Sequence, residues 1–145
     1  MMDNIGNSGY KPTPLASGSI QSVLNTGKLE LIRNDSLKNL LTAYPSERNK
    51  FQEQESNVKN IILNLHRPIL ESYYSLTDLI AVDRNRFPNL KENAQPSDFE
   101  GLLNDKKYQN VLVDRMLQTN RLIKVAENYL AQIEAIITLL EEEIK

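Results

Sequence analysis

Apolar residues recur through the C-terminal third of the chain at alternating steps of four and three. They fall at Leu112, Met116, Thr119, Ile123, Ala126, Leu130, Ile133, Ile137, Leu140 and Ile144, and only Thr119 is polar. No Gly or Pro interrupts the segment from Lys106 to Lys145. The spacing predicts one helix, on the order of 60 Å long at about 1.5 Å per residue. Leu122, Tyr129 and Ile136 widen one flank of the stripe, with Val125 and Leu139 beside them. A two-stranded coiled coil carries charges at such flanks, whereas an apolar arc this wide touches two or more neighbours. The expectation is a bundle helix that turns the four-three stripe to the core. Leu122, Tyr129, Ile136 and Leu139 are then the candidates for a partner or self-association surface.

Upstream, Met1 to about Ala16 mixes Asn, Gly, Ser and Pro without apolar period and reads as a flexible arm. Ser17 or Ser19 caps a short helix through Ile20, Val23 and Leu24, which Gly27 ends. Leu29-Glu30-Leu31-Ile32 is too short to classify by period; it reads as a tight connection burying its leucines, with a short strand as the lesser option. Asn34 or Asp35 caps a helix through Leu37, Leu40 and Leu41, and Pro45 either kinks it or starts a new one. Helical spacing then continues to about Ile80, with a kink expected near Asn64 to Pro68, because Pro68 cannot donate to the Asn64 carbonyl. Val82 to Gln95 loses the period and reads as the main loop, docked through Phe87 and Leu90. Ser97-Asp98-Phe99-Glu100 has the capping-box form and opens a short helix through Leu102 and Leu103.

These elements define an all-α fold: an antiparallel helical bundle on two long helices, one Pro-kinked, with short helices at the ends. The domain division is an arm over 1–16 and a single helical domain over 17–145. A weak repeat supports the plan. Ser19 to Leu24 resembles Asp98 to Leu103, and each is followed by Asn-Asp (Asn34-Asp35, Asn104-Asp105) and a long helix. Chance similarity among Leu-rich helix starts would produce the same pattern, so the repeat is support and not proof.

Composition narrows function mainly by exclusion. The 145 residues are 40% hydrophobic, and aromatics are only 6% with no Trp, so Leu, Ile and Val must fill one core. A formal net charge of -2, with Lys and Arg interspersed among Asp and Glu, lacks the clustered basic face that nucleic acid requires. Cysteine is absent, which removes thiol chemistry, disulfides and Cys-based zinc sites. No stretch reaches the roughly 18 apolar residues of a membrane span, and the polar start is not a signal peptide. As written, the chain reads as soluble.

Candidate chemistry is sparse. His66, the only histidine, has no partner at metal-ligand spacing and would be the sole imidazole base for any serine nucleophile. No phosphate-binding glycine loop occurs, and the acidic pairs sit on polar faces where nothing would raise a carboxyl pKa. The expectation is a protein without catalytic, cofactor or metal site. A small-ligand pocket at the Pro68 bend, lined by His66, Pro68 and Tyr73, is the alternative to a protein-interaction role.

The segment Ser19-Ile20-x-x-Val23-Leu24-x-x-Gly27-Lys28-Leu29-Glu30-Leu31-Ile32-x-Asn34-Asp35-Ser36-Leu37 carries a resemblance, together with Asp98-Phe99-Glu100-x-Leu102-Leu103-Asn104-Asp105 and the long helix beyond. Over about Gly18 to Lys145 the chain resembles the extracytoplasmic part of an uncharacterised family of bacterial single-span membrane proteins. Such proteins have a membrane helix ahead of this region, and nothing before Ser17 could serve as one. Either an anchor precedes residue 1 in the native gene or this member lacks it. The resemblance implies a periplasmic setting at the cytoplasmic membrane and brings no activity and no site residues; the reading of the residues themselves is a non-catalytic interaction or scaffolding domain that meets a protein partner or itself.

Overall fold

The computed structural model describes residues 10–16, 18–75, 77–78 and 95–144. The loop expected over Val82 to Gln95 therefore lies outside the described residues, apart from Gln95, and so does the start of the arm. The described chain is α-helical with no strand among its residues. Helix α1 (Gly18–Asn25) leads to a 3₁₀ turn (Lys28–Leu31), then α2 (Asp35–Asn60), a π-helical stretch (Ile61–His66), α3 (Arg67–Tyr73), α4 (Phe99–Asn104) and α5 (Lys106–Glu143). Among the described residues no helix is long and apolar enough to cross a membrane.

The junctions follow from local chemistry. Gly27 sits at φ 71°, a left-handed conformation that a Cβ would disfavour, and turns the chain from α1 into the 3₁₀ turn. That turn buries less than the sequence implied, for Leu29 and Ile32 pack inward while Leu31 is exposed. Asn34, not Asp35, caps α2, its side chain accepting from the Leu37 amide at 3.1 Å. Asp105 does the same for α5, accepting from the Lys107 amide at 2.7 Å. Thus both Asn-Asp pairs mark a long-helix start, with the cap on the first residue of one pair and the second of the other. At α4 the capping-box expectation misses by one position. Asp98 accepts from the Gly101 amide, and Ser97 instead binds the Ser75 amide at 2.9 Å.

Pro45 neither ends nor restarts α2, which runs through it. Pro68 has the larger effect, as a π-helical stretch just before it in place of the simple bend expected. The Arg67 amide reaches back five residues to the Ile62 carbonyl, and α-helix then resumes. It stops at Tyr73, where Tyr74 turns extended; Thr77 and Asp78 are helical again, and the expected end near Ile80 lies outside the described residues.

Packing gathers into two compact units. The first comprises Asn57–Gln118 with Met1–Lys11, the second Pro12–Ser56 with Thr119–Lys145. In the first, Ile61, Ile69, Leu70, Leu102 and Val111 form the core, with Tyr73 and Tyr108 against it. In the second, Leu37, Leu41, Tyr44 and Phe51 of α2 close on Tyr129 and Ile136 of α5. The second unit's paired contacts run in opposite sequence directions: the Arg33 amide to Glu143, the Leu40 carbonyl to Gln132, and Tyr44 and Phe51 to the Tyr129 ring at 5.6 and 5.9 Å.

Residues 10–16, read from sequence as part of a flexible arm, are docked. In the second unit the Thr13 amide donates to Glu55 at 2.9 Å, the Tyr44 hydroxyl donates to the Ala16 carbonyl, and Leu15 joins the core. In the first, Lys59 lies 5.5 Å from the Tyr10 ring centre. A stretch without apolar period still binds wherever its backbone and ring find partners.

Candidate interaction face

Helix α5 is turned from the orientation its pattern suggested: Ala126 and Ile133 of the four-three stripe pack against the second unit's core, whereas Ile123, Leu130 and Ile137 are exposed. The residues proposed as a partner surface lie inside the second unit: Tyr129 and Ile136 are buried, and Leu122 and Leu139 pack against the same core. The physical reason is the breadth of the arc. The apolar arc of α5 is wider than α2 covers: Tyr129 and Ile136 are buried with Val125 beside them, and Ile123, Leu130 and Ile137 are left at the rim. Adjacent residues show the division: Ile136 is 4% exposed and Ile137 50%, Tyr129 5% and Leu130 55%.

Within the second unit, Ile123, Leu130, Ile137 and Ile144 therefore form a solvent-facing row at seven-residue spacing, edged by the exposed Leu140 and the half-covered Ala126 and Ile133. Glu127, Glu134 and Glu141 stand beside that row, also seven apart and all exposed. Among the described residues the ion pairs are Lys38–Asp35, Lys50–Glu47 and Arg67–Glu71, so none of the three acids is paired. The row is thus apolar, regular and bordered by exposed carboxylates that have no ion-pair partner among the described residues. In the first unit Leu112, Val113, Met116 and Leu117 of the same helix are also exposed.

The second unit also buries polar atoms. Among the described residues the Tyr129 hydroxyl and the Arg48 Nε meet no partner in good hydrogen-bond geometry, although the Tyr44 hydroxyl lies near the Tyr129 oxygen. Burial pushes the Tyr129 phenol well up, and the nearby Tyr44 hydroxyl adds to the rise.

The expected pocket residues separate. Pro68 and Tyr73 line an open cleft of about 460 Å³ with Ile69, Ser72, Asp105 and Lys107. Its polar point is Asp105, which accepts from the Lys107 amide and, at 3.0 Å, from the Tyr73 hydroxyl. These donors hold the carboxyl below the usual range, and the bond to Asp105 raises the Tyr73 phenol.

His66 is not among the cleft's lining residues. It is buried at the end of the π-helical stretch, its ring stacked on Tyr108 at 5.8 Å and its Nδ1 3.1 Å from Arg115, with Nε2 unpartnered among the described residues. Burial first, and the Arg115 charge second, hold the imidazole below its ordinary pKa. Tyr108, Val111 and Arg115 fall three and four residues apart on α5, a spacing that marks one face and would have pointed to this contact. Among the described residues no group of three or more His, Asp or Glu side chains is placed to hold a metal ion.

No protein-family model, curated protein or solved structure matches this chain.

Proposed function

We propose that this protein is a non-catalytic helical interaction module whose working surface is the outer row of α5, Ile123, Leu130, Ile137 and Ile144. One observation carries the reading. The row is continuous, aliphatic and solvent-facing in a unit whose buried core lies on the adjoining side of the same helix. Single exposed leucines are ordinary, but a regular apolar row on one helix marks a surface that is covered in use. The resemblance to extracytoplasmic regions of single-span membrane proteins adds a setting, a scaffold presented outside the cytoplasmic membrane.

The test is site-specific photo-crosslinking in growing cells, with the photoreactive residue at position 137 or, as a control, at the exposed polar position 128. The reading expects a discrete adduct from 137 and none from 128. No adduct from 137 under any growth condition, or the same smear from both positions, would remove it.

The cleft at Pro68 supports a second reading, a small-ligand sensor, because a carboxylate held by two donors lies at its wall. That reading requires a compound whose binding raises the melting temperature and whose effect is lost in Asp105→Asn.

A further inference from the structure

Resting on the interaction reading above, we infer that the outer row of α5 takes one kind of partner: an amphipathic helix whose apolar stripe is bordered by Lys or Arg. Three features of the second unit select it. The row repeats every seven residues, at Ile123, Leu130, Ile137 and Ile144, without a slip. An ideal helix drifts by about 20° per heptad against such a row, so a strict seven-residue repeat stays in contact only with another helix that winds around it. A sheet edge or an extended peptide would read a two-residue period instead.

Charge then selects among helices. Glu127, Glu134 and Glu141 keep the same seven-residue step beside the row, are exposed, and have no ion-pair partner among the described residues. A helix with basic residues at the matching flank meets each acid once per heptad, the arrangement that sets partner choice in paired helices.

A second copy of this chain does not offer that match. Paired antiparallel, the two acidic rows would face each other. Paired parallel, the two Glu141-Glu142-Glu143 ends would lie side by side, each at a helix C-terminus whose dipole already disfavours acid. An anionic lipid surface is opposed by the same row of acids. The apolar row is narrow, and Ile123, Leu130 and Ile137 are about half covered by their own neighbours, so the flanking charges supply selectivity that the apolar contact lacks.

The experiment uses the whole chain and two synthetic helices of about four heptads, a length at which a paired helix is stable. Both carry Ile and Leu at the seam; one has Lys at the flanking positions and the other Glu. Fluorescence anisotropy should show binding of the Lys peptide with a micromolar Kd, weakening as salt rises, and no binding of the Glu peptide. Glu127→Gln/Glu134→Gln/Glu141→Gln should weaken the Lys peptide by about tenfold, a few-fold for each exposed charge pair. Leu130→Gln/Ile137→Gln should abolish binding with helical content unchanged. Equal binding of the two peptides, no binding of either, or indifference to the triple Gln variant overturns the inference. So does light scattering that shows the free chain as a dimer broken by Leu130→Gln/Ile137→Gln. If the peptides fail while position 137 still yields its adduct in cells, the interaction reading stands and only this partner chemistry falls.

Discussion

Ile136 and Ile137 are the same residue type, adjacent on one helix, and should differ sharply when truncated. Ile136 is 4% exposed against the α2 face of the second unit, and Ile137 is 50% exposed on the outer row. Ile→Ala removes three carbon groups, at about 0.8 kcal/mol each when fully buried, or about 2.4 kcal/mol of transfer energy. A residual cavity in the core it shares with Leu37, Leu41 and Tyr129 brings the cost of Ile136→Ala to about 3–4 kcal/mol. For Ile137→Ala the transfer loss is roughly halved, and Ala's better helix propensity returns a few tenths, leaving about 0.8 kcal/mol. The expected gap is about 2.5 kcal/mol, several degrees in melting temperature for a chain of this size. Urea titration followed by far-UV circular dichroism measures it, at a protein concentration where light scattering shows one species and with the urea slope checked for constancy. Costs equal within about 0.5 kcal/mol would refute the assignment of faces on α5, and with it the outer row as a spare surface.

Three further outcomes follow from the interior. His66 has its imidazole pKa lowered below 6.5 by burial and by Arg115, so below about pH 6.5 the unfolded chain takes up a proton that the folded chain refuses. Its contribution is fully present above that pH and is lost as pH falls towards the folded pKa, at up to about 1.4 kcal/mol per pH unit; His66→Gln should flatten this part of the stability profile, and an unchanged slope would count against the buried neutral imidazole. Tyr129→Phe removes a buried hydroxyl with no well-aligned partner among the described residues, while Tyr44 keeps its bond to Ala16, so stability should stay level or rise by up to about 1 kcal/mol; a loss above about 1 kcal/mol would mean that the Tyr44 hydroxyl or another group bonds it. Gly27→Ala meets no atom within 4 Å, so its cost, about 1 kcal/mol by thermal melts, comes from the φ of 71° alone, and Gly27→Asn should recover much of it.

How much of this was legible depends on what each signal encodes. The all-α class and the extent of α5 were readable because a long run without Gly or Pro, with helical apolar spacing, has no competing solution. The helix starts at Asn34 and Asp105 were readable as Asn-Asp pairs, because a side-chain oxygen before an apolar run satisfies amides that the helix cannot. Periodicity, however, reports that a helix has an apolar arc, not which part of the arc its neighbour covers. On α5 the step-of-four-and-three rule picked the residues nearest an ideal seam, while α2 brings Tyr44 and Phe51, whose rings pack on Tyr129. A ring pair at 5.6 Å fixes where two helices meet more firmly than a row of aliphatics does, because aromatic area and geometry are the larger share of the contact. Helices α2 and α5 therefore meet along Tyr44, Phe51, Tyr129 and Ile136, and the regular heptad row, the part of the sequence that looked most like core, is left facing out.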